Sequence, residues 1–106
     1  MSIPVDVADL ARALEDFGAG YLLTTRDGAV KVVSVAPTLS DGTLTARGPG
    51  RGTLANLAAN AQVTLVFPPR EDSGMTLLVD GTGAVEGEDV QVTPTSAVLH
   101  RPADHA

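Results

Sequence analysis

The segment YLLTTRDGAVKVVSVA, residues 21–36, decides the fold class. Both halves are rich in Val, Thr and Leu, and the β-branched members of this set suit a pleated sheet. Between the halves stands Asp27-Gly28, a pair typical of the two-residue turn that joins antiparallel strands. The segment therefore predicts a β-hairpin with strands at residues 21–26 and 29–36.

Short strands and frequent turns continue towards the C-terminus. Ser40-Asp41-Gly42 and Gly87-Glu88-Asp89 are turn sequences, and Gly81 with Gly83 indicate a bulge or a close backbone approach inside a strand. A mostly β fold of this kind favours a closed or half-closed barrel over an open sheet. We predict a six-stranded antiparallel split β-barrel, whose strands beyond the hairpin are residues 43–47, 62–67, 75–85 and 90–93, with the first three strands in a meander.

Two helices are expected beside the strands. Residues 6–17 place apolar side chains at helical spacing, with Asp6 as the N-cap. Residues 53–59 predict a short helix between the third and fourth strands, with Asn60 as its stop. Residues 95–99 are expected to form a further short helix before a frayed tail.

Composition limits the possible functions. The 106 residues predict one domain, 1–106, and 13 acidic against 7 basic residues give a net charge of −6, which argues against nucleic-acid binding. There is no cysteine, so disulfides and thiolate chemistry are excluded. The N-terminal segment lacks a signal-peptide pattern, and no apolar run is long enough to span a bilayer. We therefore expect a cytoplasmic protein with no membrane partner.

The glycine-rich loop GPGRGTLANL, residues 48–57, is the main candidate site. It is not a Walker loop, because no Lys-Ser or Lys-Thr follows its last glycine, and it fails the dinucleotide pattern at Thr53. Glycines that free backbone N–H groups before a helix N-terminus still suit a phosphate. Lys31, Arg47 and Arg51 would add positive charge at one edge. The alternative is a flexible strand-to-helix corner with Thr53 as an ordinary N-cap.

No other group of residues predicts catalysis. His100 and His105 stand in the predicted tail, where a metal pair or a nucleophilic triad is not expected. The acidic pairs lie at element ends and in turns, so they predict neither general acid–base chemistry nor a metal site. If the protein is an enzyme, its chemistry would come from a cofactor.

Several of these stretches together carry a family resemblance. Residues 22–25 (LLTT), Asp27-Gly28, residues 31–35 (KVVSV), Gly42-Thr43-Leu44 and residues 56–69 (NLAANAQVTLVFPP) resemble, in order and spacing, the pyridoxamine 5′-phosphate oxidase-related flavin-binding split barrels. Residues 77–90 (LLVDGTGAVEGEDV) are similar to a later strand of that family. The resemblance covers about residues 21–92.

The resemblance implies a homodimer that binds FMN, or in some branches a deazaflavin coenzyme, at the subunit interface. Strand backbone at 32–35 would lie along the flavin ring, and the glycine loop would hold the phosphate. Thr53 stands where the family often has a lysine, so Arg51 would have to replace it. The C-terminal substrate-binding segment of the true oxidases is absent, unless His100-Arg101 is a remnant. The cofactor-binding residues predicted on this basis are Lys31, Val32, Val33, Ser34, Arg47, Gly50, Arg51, Gly52, Thr53 and Asn56.

Two classes of function follow. The first is a dimeric, FMN-binding oxidoreductase or a deazaflavin-dependent reductase, acting on a small molecule. The second is a non-catalytic split barrel that binds a small molecule or a partner after losing the cofactor, because fold alone does not fix function.

Overall fold

The structure is a computed structural model that describes residues 1–71 and 74–101. It contains eight strands and two α-helices, and all strand pairs are antiparallel. A single 3₁₀ turn, Val7–Asp9, precedes the first α-helix. The helices are α1 (Leu10–Leu14) and α2 (Arg51–Ala59), and the strands are β1 (Ser2–Val5), β2 (Gly20–Arg26), β3 (Ala29–Val35), β4 (Thr38–Ser40), β5 (Thr43–Ala46), β6 (Gln62–Phe67), β7 (Thr76–Glu86) and β8 (Asp89–His100).

The sheet is strongly curled but not closed. Its strand order is β3-β2-β6-β7-β8-β5-β4, with β1 added on β8, so β3 and β4 occupy opposite ends of the path. Only residues 36 and 37 connect these two end strands. Since Cα atoms are at most about 3.8 Å apart along the chain, the two ends must approach each other. Within the described part of the chain no β3–β4 pairing closes the gap.

The mostly β class and the two helices are confirmed, but the count of six strands is wrong. The prediction missed β1 and β4, which have four and three residues. Strands this short give no clear alternation of polar and apolar residues. β1 forms by pairing with β8, which is distant in sequence, and β4 forms by pairing with β5 in a hairpin. The meander is also wrong, because β3 does not pair with β5, the predicted third strand; β5 pairs instead with β4 and β8.

The turn sequences predicted two hairpin turns correctly. Asp27 and Gly28 have φ of 51° and 79°, and Asp41 and Gly42 have φ of 51° and 78°. Two successive residues with positive φ are typical of the type I′ turn, which matches the twist of a hairpin. The predicted bulge is confirmed by a register shift at Asp80/Gly81.

Two helix predictions needed correction. Asp6 does cap the first turn, since its Oδ1 accepts from the Ala8 N–H at 3.0 Å, but residues 6–17 form a 3₁₀ turn and a five-residue helix that ends at Leu14. The helix expected at 95–99 is absent, because β8 runs through these residues to His100. There β8 pairs with both β1 and β7, and this pairing overrides the weak local preference.

The core lies between the inward face of the sheet and its two helices. α2 packs on β2 and β7, where Leu57 fits over Gly83; a Cβ at Gly83 would lie 2.6 Å from Leu57 Cδ2. At the other end, the Phe17 and Phe67 rings pack with centroids 6.5 Å apart. The fully or nearly fully buried apolar side chains are Leu10, Leu22, Val35, Leu44, Ala46, Leu57, Val63, Leu65, Phe67, Leu77, Val79, Val90, Val92 and Ala97.

Among the described residues, neither helix is long and apolar enough to cross a membrane.

Candidate functional site

The glycine-rich loop leads directly into the first turn of α2. Gly50 is the N-cap, with φ of 101° and ψ of 159°, a backbone conformation that L side chains rarely adopt. The helix therefore begins at Arg51, two residues earlier than predicted, and Thr53 is its third residue rather than its N-cap. The start of the loop is hydrogen-bonded to β8, because the Gly48 N–H donates to Asp89 Oδ1 at 3.0 Å.

A helix N-terminus leaves its first backbone N–H groups without acceptors inside the helix. Here these are the N–H groups of Arg51, Gly52 and Thr53, and the aligned peptide dipoles add a partial positive charge at this end. Gly50 offers no side-chain cap to satisfy them. The first turn thus has the donor arrangement that suits an anion.

Lys31 reaches this turn from the neighbouring hairpin. It lies in β3 directly opposite Thr24 of β2, and α2 packs over β2. A Cβ built on Gly52 would lie 3.0 Å from Lys31 Cε and 3.2 Å from Lys31 Nζ. The end of the Lys31 side chain therefore lies beside Gly52 in the first turn of α2, although 20 residues stand between the two in sequence.

A buried polar pair fixes α2 against β2. Asn56 Nδ2 donates to Thr24 Oγ1 at 3.1 Å, and Thr24 is fully buried. Thr24 was not predicted as a site residue, since a threonine inside a strand pattern gives no sign that it faces inward. This hydrogen bond links α2 to β2, and β2 pairs with β3 at Thr24 and Lys31.

Thr53 has an unusual environment. Its side chain is fully buried, and its Oγ1 has no hydrogen-bond partner among the described residues. An unpaired buried hydroxyl is unfavourable by about 1–3 kcal/mol. The first turn of α2 therefore contains one polar side chain whose hydrogen-bonding capacity is unused.

The two predicted arginines lie in the glycine-rich loop or directly before it. Arg51 lines a shallow depression of about 220 Å³ together with Gly48, Gly50, Leu54 and Glu88. Arg47 is exposed just beyond the end of β5. Glu88 and Asp89 stand beside this part of the loop. Arg51 therefore has a carboxylate beside it, whereas Lys31 reaches the first turn of α2 from β3.

The remaining predicted residues lie on β3, an end strand of the sheet. Val32 and Ser34 face outward opposite Leu23 and Tyr21, whereas Val33 is half-buried on the inward face. Outward-facing side chains of this hairpin include three of the exposed large apolar residues, which are Tyr21 at 44%, Val30 at 61% and Val32 at 54% exposure. An end strand with apolar side chains is a surface on which another group can bind.

Two further features lie away from this site. A cavity of about 390 Å³ contains none of the predicted site residues; its lining includes Ala13, Phe17, Arg70, Met75 and Leu99. Arg70 is held there by the carbonyl oxygens of Asp16 and Phe17, which accept from its Nε and Nη2 at 3.2 and 2.7 Å. His100 ends β8 beside Ser2, with 2.9 Å between its Nδ1 and the Ser2 Oγ, and His105 lies outside the described residues. No cluster of three potential metal ligands occurs in the described ranges.

Comparison with known proteins identifies relatives of the chain. No protein-family model matches the sequence. Two uncharacterized proteins, of Mycobacterium bovis and Mycobacterium tuberculosis, are each 38% identical to it over 116 aligned positions, which cover 93% of this chain and 82% of theirs.

Solved structures with the same fold are much more distant in sequence. An FAD-binding protein of Mesorhizobium loti superposes with a TM-score of 0.72 at 14% identity, over 95% of this chain and 99% of that one. A candidate pyridoxamine 5′-phosphate oxidase of Listeria innocua has a TM-score of 0.72 at 12% identity, covering 88% and 96%. An FAD-binding protein of Mycobacterium smegmatis has a TM-score of 0.63 at 17% identity, covering 95% and 100%.

The resemblance seen in the sequence is therefore confirmed by the fold. The chain belongs to the family of the two mycobacterial proteins, and its fold is that of the pyridoxamine 5′-phosphate oxidase-related, flavin-binding split barrels.

Proposed function

We propose that this protein is a homodimeric, FMN-binding oxidoreductase that acts on a small-molecule substrate. The observation that carries the proposal is the Lys31 ammonium group against the first turn of α2, where unpaired backbone N–H groups already favour an anion. The names of the Mesorhizobium and M. smegmatis neighbours, both FAD-binding proteins, support a flavin as the ligand.

The residues present fit a flavin phosphate. Lys31 would supply a charge, the N–H groups of residues 51–53 would supply hydrogen bonds, and the Thr53 hydroxyl has an unused donor. Arg51, the first residue of α2, would add a second charge. In this proposal the lysine that the family often has in the loop is replaced by Lys31 of β3, with Arg51 in a supporting role.

The protein's own contribution to a reaction would be binding and orientation. The backbone of residues 32–35, on an end strand, would run along the flavin ring and set its position, while Val32 would shield one side from water. Hydride transfer is the chemistry that a flavin supplies when it is bound. The described residues of the site include no histidine, and the carboxylates described beside the glycine loop are Glu88 and Asp89.

A second subunit would cover the apolar outer face of the β2–β3 hairpin. Tyr21, Val30 and Val32 stand on one face of two paired strands and are 44% to 61% exposed. A contiguous apolar surface of this kind is typical of an interaction site. We expect Val32→Asp to shift the protein from dimer to monomer in light scattering. Val85→Asp is the matched control, because Val85 is 43% exposed but lies at the far end of β7.

A non-catalytic binding module is the second candidate. It is favoured by the carboxylate of Glu88, which lines the same depression as Arg51 and would oppose a phosphate there. A deazaflavin coenzyme is a variant of the first candidate, because it too carries a phosphate group for Lys31 to bind.

One set of titrations separates these proposals. The visible spectrum of the purified protein is recorded, and FMN, riboflavin and the deazaflavin coenzyme are then titrated by fluorescence quenching. Tight binding of FMN or the deazaflavin, with reduction of the bound group by a hydride donor, supports the oxidoreductase. Tight binding without turnover of any electron acceptor supports the binding module. No binding of any of the three compounds would remove the cofactor proposal.

A further inference from the structure

We infer that Gly52 is a positioning residue, whose missing side chain leaves the space in which the Lys31 ammonium group meets a ligand phosphate. This inference rests on the proposed function and deepens it, because it assigns the selectivity for a phosphorylated over an unphosphorylated flavin to one steric relation between β3 and α2.

The conformation of Gly52 does not require glycine. It lies within α2, and it is not among the residues with positive φ, which in this loop are Gly48 and Gly50. In a helix, glycine is less favourable than alanine, because it loses more backbone freedom on folding. Local stability alone would therefore select alanine at this position.

The Lys31 side chain explains the glycine. A Cβ on residue 52 would lie 3.0 Å from Lys31 Cε, 3.2 Å from Nζ and 3.5 Å from Cδ. These are the nearest atoms, and all belong to the end of a flexible side chain rather than to the backbone. An alanine would thus be accommodated easily by the fold, but it would move the ammonium group away from the first turn.

A second observation at the same turn supports a ligand site. Thr53, the next residue, is fully buried and its Oγ1 has no partner among the described residues. A phosphate in contact with the first turn would have an ammonium group, backbone N–H groups and this hydroxyl as donors. We therefore expect Gly52→Ala to weaken phosphate binding without lowering the stability of the fold.

The test combines Gly52→Ala with Lys31→Gln in the full chain. Unfolding temperature is measured by circular dichroism, and binding of FMN and riboflavin is measured by fluorescence titration at two salt concentrations. We expect Gly52→Ala to have an unfolding temperature equal to or above that of the wild type, and to bind FMN about tenfold more weakly. Riboflavin, which has no phosphate, should bind both proteins equally.

The double variant identifies the mechanism. In the Lys31→Gln background, Gly52→Ala should cause no further loss of FMN affinity, because the group that it displaces is already gone. Gly18→Ala is the matched control, since its added Cβ would meet only Arg70 Nη2, at 3.9 Å; its FMN affinity should equal that of the wild type.

Three results would overturn the inference. The first is FMN binding by Gly52→Ala at wild-type strength, which leaves the proposed function intact. The second is a full additional loss of affinity in the double variant, and the third is a large fall in unfolding temperature for Gly52→Ala, which would show that the alanine disturbs the fold rather than Lys31. If the wild type itself binds FMN no better than riboflavin, the proposed phosphate site fails and the inference fails with it.

Discussion

The two fully buried threonines provide a matched test of the site's hydrogen bonding. Thr24 and Thr53 are each 0% exposed, and valine has nearly the same shape as threonine. They differ in one respect: Thr24 Oγ1 accepts a hydrogen bond from Asn56, whereas Thr53 Oγ1 has no partner in the described part of the chain. The substitutions Thr24→Val and Thr53→Val should therefore have opposite effects on stability.

The magnitudes follow from the cost of burying a polar group. Thr53→Val removes an unpaired hydroxyl, whose burial is unfavourable by about 1–3 kcal/mol, and threonine and valine have similar helix propensity. We expect the free energy of unfolding to rise by about 1 kcal/mol. Thr24→Val leaves the Asn56 amide without its acceptor in a partly buried position, so a fall of about 1–2 kcal/mol is expected.

Urea unfolding of the ligand-free protein measures both changes, and thermal unfolding should show shifts of about 4 °C per kcal/mol for a domain of this size. A second measurement links the result to function, because Thr53→Val should weaken FMN binding while it stabilises the free protein. The reasoning is refuted if Thr53→Val lowers the free energy of unfolding by as much as Thr24→Val, since the two hydroxyl groups would then have equivalent partners.

Other predictions concern the elements that hold the site in place. Asp6→Ala removes the acceptor for the Ala8 N–H and should lower stability by about 1 kcal/mol in urea unfolding, whereas Asp6→Asn should keep most of it. Gly83→Ala places a methyl group 2.6 Å from Leu57 Cδ2, and the resulting overpacking should lower the free energy of unfolding by about 1–3 kcal/mol. Its neighbour Ala84 is exposed, so Ala84→Ser should leave stability unchanged within error. Gly28→Ala forces a Cβ into a φ of 79° and should destabilise the hairpin that carries Lys31, measurable as a lower unfolding temperature.

The parts of the fold that the sequence predicted correctly are those decided locally. Asp27-Gly28 and Asp41-Gly42 specify their turns through the positive φ that both residues must adopt, and the 62–67 strand alternates regularly between buried and half-exposed residues. The bulge near Gly81 was also visible, because glycine inside a strand indicates a close backbone approach.

The parts of the fold that were predicted wrongly depend on strand pairing and packing rather than on the local sequence pattern. Residues 95–99 form strand because β1 and β7 pair with β8 on its two sides, and β4 is a strand through its hairpin partner β5. The approach of Lys31 to Gly52 also depends on how separate elements pack, here β3 and α2. Sequence reasoning placed Lys31 near the loop by charge, but only the packing of α2 over β2 shows that its side chain lies against the first helical turn.

The most direct test of the account is the ratio of riboflavin to FMN dissociation constants for the wild-type protein, measured at low and at high salt. We predict that FMN binds at least about tenfold more tightly than riboflavin at low salt, since a charged hydrogen bond contributes about 1.5–3 kcal/mol. We also predict that the difference shrinks as salt screens the exposed Lys31. Equal affinities for the two compounds at both salt concentrations would contradict the phosphate site at the first turn of α2.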